Sequence, residues 1–303
     1  MKVRIGISLG AGGKDAPQDF AEAVDRLEAA GVDSLWLSEL VYSPLVEPFI
    51  GMAFALARTQ RIKVGTGVAV LPGRHPALVA KQLVSLAALA PGRVLPVFGL
   101  KPARRRELDA FPLPAARDGE PAARRGDVFD ESLELLGRLL REEQVTYEGP
   151  TLSVRDATVG PKPDKPLDVW LGGQAPAALR RVGRLADGWL GSFMSPDEAG
   201  AAVKMIQESA AAAGREVDPD HFGMSLPVAF GELPAPLLEV IRERRADIDP
   251  ADFIPQGWAA CQEIIGRYVA NGVSKFVVRP ATPGVSFEEF LDGFTTAMTP
   301  LQT

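Results

Sequence analysis

Two adjacent glycines, Gly172 and Gly173, give the first indication of chemistry in this chain. They follow a short apolar run that predicts a strand, and they precede a helical pattern. Glycine lets a ligand approach the backbone where a Cβ would block it. The first turn of a helix presents unpaired N–H groups and the positive end of the helix dipole. We therefore predict a phosphate-bearing cofactor at Gly172, Gly173, Gln174 and Ala175, with a plain strand-to-helix connection as the alternative.

Metal chemistry is not indicated by the residue types. The chain has two histidines, His75 and His221, and one cysteine, Cys261. None of them has a further histidine or cysteine close by in the sequence, as a tetrahedral zinc site requires. A single cysteine also cannot form a disulfide within the chain. We expect no metal site.

Alternating strand and helix patterns must position the glycine pair. Strand patterns occur at 3–9, 34–37, 62–70, 93–98, from 169, and at 189–192, 222–230 and 275–279. Helix patterns occur at 17–30, 49–58, 76–89, 128–141, 177–186, 196–213, 258–270 and 287–298. Eight repeats without a linker predict a single α/β domain over 1–303, a (β/α)₈ TIM barrel.

A doubly wound dinucleotide-binding sheet is the competing fold. Its glycine fingerprint normally follows the first strand. Gly10, Gly12 and Gly13 stand there but lack the GxGxxG spacing, so we favour the barrel.

The barrel prediction places the active site at the carboxyl ends of the strands. The residues to weigh there are Glu39, Tyr42, Gly67, Val68, Arg74, His75, Gly99, Lys101, Gly172, Gly173, Ser192 and Arg279.

Charge and composition limit the partners. The 303-residue chain has a net charge of -6, whereas nucleic-acid and anionic-membrane binding require a basic surface. The basic cluster at 104–106 is local and suits a solvated loop. No apolar run reaches the length of a membrane span, and no signal-peptide pattern follows Lys2. We expect a cytoplasmic protein that binds a small molecule, without nucleic acid or membrane.

With these elements in place, the chain resembles the bacterial luciferase-like family of flavin and deazaflavin oxidoreductases, and within it the branch that uses coenzyme F420. Three segments carry the resemblance: AAGVDSLWLSE at 29–39, IKVGTGVAVLPGRHPALVAKQLVSLAALAPGRV at 62–94, and GGQAPAALRRVGRLADGW at 172–189.

The resemblance gives a meaning to several strand-end residues. It implies a cis peptide bond between Gly67 and Val68, in a bulge that presses on the back of the deazaflavin ring. It also implies that Glu39 faces the cofactor and that Gly99 adjoins it. From the residues alone, the glycines could simply relieve crowding in a buried strand, and Glu39 could be a solvated loop carboxylate.

The chain departs from the family pattern where the dehydrogenases of the family carry their acid and base. Leu40 stands where they have a histidine, and Lys101 and Pro102 stand where they have a glutamate. Ser195 lies near the position of a lysine that binds substrate phosphate in the sugar-phosphate enzyme. These departures disfavour alcohol and sugar-phosphate oxidation.

His75 and Glu107 are the nearest replacements as proton donors, so they are the catalytic candidates. His75 precedes Pro76, where a helix is predicted to begin, and it could instead cap that helix.

We therefore expect an F420-dependent oxidoreductase, acting as a reductase of an activated double bond or imine. An FMN-dependent monooxygenase and a protein that only sequesters a flavin or deazaflavin are the alternatives. Apolar residues of the second helix, Phe49, Met52 and Phe54, suggest a homodimer unless they simply cover the barrel.

Overall fold

The computed structural model of the chain describes residues 1–9, 17–114 and 123–303, so Gly10, Gly12 and Gly13 lie outside the described residues. The strands are β1 (Arg4–Ile7), β2 (Ser34–Leu37), β3 (Lys63–Thr66), β4 (Ala69–Val70), β5 (Val94–Leu95), β6 (Val97–Gly99), β7 (Val145–Glu148), β8 (Ser153–Ala157), β9 (Trp170–Gly172), β10 (Gly188–Ser192), β11 (Phe222–Val228) and β12 (Lys275–Pro280).

All the strands except β7 and β8 form one parallel sheet that closes on itself. The sheet order is β4-β6-β9-β10-β11-β12-β1-β2-β3-β5. Only Gly67 and Val68 separate β3 from β4, and only Pro96 separates β5 from β6. Each of these pairs is one interrupted barrel strand, because β3 pairs with β5 and β4 pairs with β6. The result is an eight-stranded barrel, which confirms the predicted (β/α)₈ fold.

Helices surround the sheet. They are α1 (Pro17–Ala29), α2 (Pro48–Arg58), α3 (Pro76–Leu89), α4 (Arg125–Arg141), α5 (Pro176–Leu185), α6 (Pro196–Ala212), α7 (Ala235–Arg245), α8 (Gly257–Ala270) and α9 (Phe287–Ala297). Several begin with proline, whose fixed φ and missing N–H suit the first helical position.

Two elements were not predicted. The antiparallel hairpin of β7 and β8 occupies the extended stretch after α4, and α7 lies between β11 and α8. The predicted strand 62–70 is also interrupted, because the bulge at Gly67 and Val68 divides it into β3 and β4.

The core has an outer and an inner part. The outer part fills the space between the sheet and the helices. The inner part lies inside the barrel and contains Trp36, Val97, Trp170, Leu190 and Val277. A glycine makes room for one of the large indoles, since a Cβ on Gly6 would lie 2.7 Å from Trp36 Nε1.

The apolar residues of α2 correct one expectation. Phe49 and Met52 are buried at 6% and 0% exposure, so they cover the barrel and do not form an outer face. Phe54 is exposed at 42%. Its ring lies 5.9 Å from that of Phe20 on α1.

Among the helices of the described residues, none combines the length and apolar character needed to cross a bilayer.

Candidate functional site

The bulge between β3 and β4 contains the predicted cis peptide bond. The bond between Gly67 and Val68 is cis, which confirms the geometry that the resemblance implied. Gly67 N–H donates to the carbonyl of Leu37 at 2.7 Å, and the Ser38 hydroxyl donates to the Gly67 carbonyl at 3.4 Å. The end of β2 therefore holds both polar groups of Gly67.

Two glycines make room for the Val68 side chain. A Cβ on Gly99 would lie 2.8 Å from Val68 Cγ2, and a Cβ on Gly172 would lie 3.0 Å from Val68 Cγ1. Both distances are shorter than ordinary contacts between carbon atoms. Three residues that the sequence analysis selected from separate segments thus meet at the carboxyl ends of β6 and β9.

The loop after β9 contains three of the predicted cofactor residues, Gly173, Gln174 and Ala175. Gly173 has φ of 130°, a conformation that favours glycine. Its carbonyl accepts a hydrogen bond from Trp189 Nε1 at 2.8 Å. Ala175 is the N-cap of α5 and offers no side-chain hydrogen bond to the first turn. Gln174 Oε1 is buried and has no hydrogen-bond partner among the described residues.

Glu39 is a buried, paired carboxylate. The side chain of Glu39 forms an ion pair with Arg74 and accepts a hydrogen bond from Arg74 Nη1 at 2.9 Å. It also accepts from Val70 N–H at 2.7 Å. The alternative of a solvated loop carboxylate is wrong, since Glu39 is 4% exposed. Glu39 anchors β4 two residues after Val68, and its contact with a cofactor stays a prediction.

His75 acts as the cap of α3. The residue is the N-cap, and its Nδ1 accepts a hydrogen bond from Ala77 N–H at 3.2 Å. This contact supports the capping alternative that the sequence analysis left open.

Glu107 lies in the short 3₁₀ helix Arg105–Ala110, which follows β6. Its side chain is fully buried, and Oε1 accepts from Tyr42 N–H at 3.2 Å. Oε2 has no hydrogen-bond partner in the described part of the chain. The Tyr42 hydroxyl donates to Asp109 Oδ1 at 2.7 Å, and this hydrogen bond raises the pKa of Tyr42. The loops after β2 and β6 are therefore joined beside an unpartnered carboxyl oxygen.

Ser195 has a structural partner. It caps α6 in a reciprocal arrangement with Glu198, whose N–H donates to Ser195 Oγ at 3.3 Å. Glu198 in turn accepts from Ser195 N–H at 2.8 Å. The Ser195 hydroxyl thus caps the N-terminus of α6.

Arg279, which the sequence analysis weighed at the strand ends, lies near a second arginine, Arg244, which sequence reasoning missed. Burial, together with repulsion from Arg244, lowers the pKa of Arg279 to about 10. Arg244 lies on α7, with its guanidinium carbon 5.5 Å from the centre of the Phe193 ring. Among the described residues, Arg279 forms no ion pair with a carboxylate.

The proline before an amphipathic run at 235–245 was the signal that could have predicted α7, the helix that contains Arg244.

No group of three or more metal-ligating side chains occurs in residues 1–9, 17–114 and 123–303.

Comparison with known proteins places this geometry in a family. The model of the luciferase-like monooxygenase family matches residues 1–263. The chain is 25% identical to an F420-dependent glucose-6-phosphate dehydrogenase of Kineococcus radiotolerans, over 94% of this chain and 93% of that protein. It is 36% identical to an uncharacterized protein of Mycobacterium tuberculosis, over 55% of this chain and 56% of that protein.

Solved structures show the same fold. An F420-dependent secondary alcohol dehydrogenase in complex with an F420-acetone adduct matches with a TM-score of 0.79 at 19% identity, over 100% of both chains. The oxygenating constituent of 3,6-diketocamphane monooxygenase from Pseudomonas putida, in complex with FMN, matches with a TM-score of 0.72 at 18% identity, over 100% of this chain and 99% of that chain. At these identities the likeness concerns the fold alone. The match of the family model to most of the chain, together with this fold, shows that the chain belongs to the luciferase-like monooxygenase family.

Proposed function

We propose that this protein is a coenzyme F420-dependent oxidoreductase that reduces a small organic electrophile. The observation that carries the proposal is the position of Val68. Its side chain lies between Gly99 and Gly172, and the peptide bond that joins it to Gly67 is cis. The names of its relatives support the choice of cofactor, since the dehydrogenase of Kineococcus radiotolerans is F420-dependent.

The residues at the carboxyl ends of the strands fit such a cofactor. Gly172 and Gly173 let Val68 and Ala178 approach the backbone more closely than a Cβ at either position would allow. The first turn of α5 has no side-chain cap, and Gln174 Oε1 has no partner among the described residues, so both offer polar contacts beside Gly172. Val68 would support the ring from behind. A bound deazaflavin supplies the hydride, and the protein supplies position and a dry surrounding.

Of the two candidate proton donors, Glu107 is favoured over His75. His75 is exposed to solvent and caps α3 through Nδ1, which leaves only Nε2 to carry a proton. Glu107 Oε2 has no hydrogen-bond partner in the described part of the chain, which makes this oxygen the candidate position of the transferred proton. The buried carboxyl lies beside the loop after β2, on the side where Leu40 replaces the histidine of the dehydrogenases.

The direction of the reaction follows from the absence of a base at Leu40, Lys101 and Pro102. Oxidation of an alcohol requires removal of a hydroxyl proton, whereas reduction of an activated alkene or imine requires only that a proton be donated. We therefore propose the reductive direction, with the substrate next to the cationic Arg279.

The decisive experiment is titration of the purified protein with F420 and, separately, with FMN, followed by turnover assays. We expect F420 to bind more tightly, and reduced F420 to be consumed with a panel of enones, quinones and imines. Tighter FMN binding with oxygen consumption would favour the monooxygenase. Tight F420 binding without turnover would favour a sequestering protein.

We also retain two expectations as proposals, namely a cytoplasmic location and a homodimer. The exposed Ile50 and Phe54 of α2 and Leu78 of α3 provide the apolar surface for a dimer. Light scattering of the eluted protein measures its mass, and a monomer at micromolar concentration would contradict the dimer.

A further inference from the structure

A cavity opens at the end of the barrel opposite to the predicted cofactor site. It has a volume of about 540 Å³, which lies in the range of small-molecule sites. Its lining includes the first residues of five strands, which are Arg4, Ser34, Lys63, Val94 and Lys275. The cavity therefore lies at the amino ends of the strands, whereas Gly99 and Gly172 end theirs at the carboxyl side. We call it the lower cavity.

The floor of the lower cavity is aromatic. Trp36, Val97 and Trp170 line it, and all three belong to the cluster inside the barrel. The indole N–H of Trp36 already donates to Ser34 Oγ at 3.0 Å. The ring of His221 lies 5.3 Å from that of Trp170. A planar ligand can therefore pack on these faces without breaking a hydrogen bond.

The rim of the lower cavity is cationic. Arg4 and Lys63 share one carboxylate, since Asp33 Oδ1 lies 3.6 Å from Arg4 Nε and 3.3 Å from Lys63 Nζ. Lys275 Nζ donates to the carbonyl of Lys2 at 2.8 Å and has no ion pair among the described residues. Burial lowers the pKa of Lys275, although Asp220 opposes the shift. The lining as a whole contains five cationic side chains, Arg4, Lys63, Lys162, Lys165 and Lys275, and three carboxylates, Asp33, Asp164 and Asp168. The cavity therefore has an excess of positive charge.

A proline-containing segment forms one wall. Residues 162–168 line the cavity. The segment is tied to the helices, because Lys162 Nζ donates to the Leu139 carbonyl and Lys81 Nζ donates to the Gly160 carbonyl at 2.6 Å. The wall is therefore held in place without a ligand, so the site is preformed.

We propose that the lower cavity binds a small aromatic anion, a planar ring that bears a carboxylate or a phosphate. The ring packs against Trp36 and Trp170, and the anionic group pairs with Lys275 and Lys63. Neither part of the site includes a residue assigned to the cofactor. Trp36 nevertheless connects the two ends, because a Cβ on Gly67 would lie 3.7 Å from Trp36 Cβ.

Calorimetric titration with 2-naphthoate tests the proposal, using 2-naphthamide as the neutral probe with the same rings. 2-Naphthyl phosphate serves as a second anionic probe. Comparison of its affinity with that of 2-naphthoate shows whether the cavity prefers a phosphate or a carboxylate. The full chain is titrated with and without saturating F420, so that binding at the cofactor site is recognised by competition. We expect one molecule of an anionic probe to bind under both conditions, at least tenfold more tightly than the amide.

Two variants locate the binding. Lys275→Met should lower the affinity for the anionic probe about tenfold, which is the loss expected for one charged hydrogen bond. Ala88→Trp places an indole at the cavity from an exposed position on α3 and should abolish binding. Lys204→Met and Ala211→Trp, at exposed positions on α6, are the matched controls and should bind as the unmodified protein does.

Three results would overturn the proposal. They are the absence of anion binding at millimolar probe, equal affinity for the amide, and unchanged affinity in both Lys275→Met and Ala88→Trp. If saturating F420 abolishes the heat of probe binding, the probe binds at the cofactor site, which also contradicts the proposal. Failure of the protein to bind F420 or to turn over substrate would leave the lower cavity unaffected, so the two proposals fail separately.

Discussion

At the scale of single residues, the candidate site depends on glycines, which have no side chain. Gly99 and Gly172 matter because their hydrogen atoms leave room for the two methyl groups of Val68. A larger residue at 172 would likewise press on Val68. The smallest possible change, from glycine to alanine, is the most informative one.

We expect Gly99→Ala to weaken F420 binding at least tenfold while the barrel stays folded. The added methyl group would lie 2.8 Å from Val68 Cγ2 and must displace that side chain. Fluorescence titration measures the affinity, and circular dichroism confirms the fold. Gly266→Ala on α8, where a Cβ meets nothing within 4 Å, is the control and should bind normally. Equal F420 affinity in the two variants would show that Val68 does not contribute to cofactor binding.

The two proton-donor candidates can be separated by substitutions that preserve their hydrogen bonds. Glu107→Gln keeps an oxygen for Tyr42 N–H but removes the transferable proton, so we expect kcat for reduction to fall about 100-fold with KM little changed. His75→Asn keeps a helix cap and should retain activity. The measurement is steady-state kinetics across a pH series. Loss of activity in His75→Asn alone would reverse the assignment.

At the scale of elements, the partly buried carboxylate of Glu28 connects segments that the sequence pattern treats separately. Glu28, near the end of α1, accepts N–H groups of the turn before β3, from Gln60 and Arg61 at 3.1 Å and Ile62 at 3.0 Å. Partial burial opposes the charged form of Glu28, but these three hydrogen bonds outweigh it and lower the pKa. The charged carboxylate therefore stabilises the junction of α1, α2 and β3.

We expect Glu28→Gln to lower the free energy of unfolding by about 2 kcal/mol at pH 7, because charged hydrogen bonds to the backbone are lost. Since the folded pKa lies below the unfolded value, this contribution is fully present above the ordinary pKa of glutamate, about 4.3, and disappears as the pH falls through the folded pKa. Urea unfolding at several pH values measures it. Glu208→Gln, at an exposed position on α6, should change little, and a pH-independent loss in Glu28→Gln would contradict the linkage.

At the scale of the whole molecule, the last residues of the chain help to hold β1 in the closed sheet. Val3 N–H donates to Thr303 Oγ1 and Ile5 N–H donates to Gln302 Oε1, both at 3.0 Å. Thr303 N–H donates back to the Val3 carbonyl at 3.3 Å. The strand β1 lies between β12 and β2, so these contacts reinforce the point where the first and last barrel strands meet.

We expect removal of Gln302 and Thr303 to lower the free energy of unfolding by about 2 kcal/mol, since two backbone N–H groups of the β1 region lose their acceptors. Thermal unfolding should show a lower midpoint with F420 affinity unchanged, because the contacts lie far from the cofactor site. Removal of Thr303 alone keeps the Gln302 acceptor and should lower the stability less. An unchanged midpoint after truncation would show that the contacts contribute nothing.

The sequence by itself determined the order of the elements and much of the site. Hydrophobic periodicity, helix-starting prolines and capping glycines are local signals, so the eight strand-helix repeats could be predicted. The glycines at 67, 172 and 173 were recognisable because they lie in segments that resemble a known family, and Gly99 was recognisable because it follows a predicted strand. His75 could be predicted as a cap from the proline beside it.

Only the tertiary structure decided which of these residues meet. Val68 lies between Gly99 and Gly172, Glu39 pairs with Arg74, and Arg244 approaches Arg279 because closure of the barrel brings distant strand ends together. The same closure buried Phe49 and Met52 and formed the lower cavity at the opposite end. Local patterns determine which face of an element is apolar, whereas the partner of that face depends on how every element packs around the sheet.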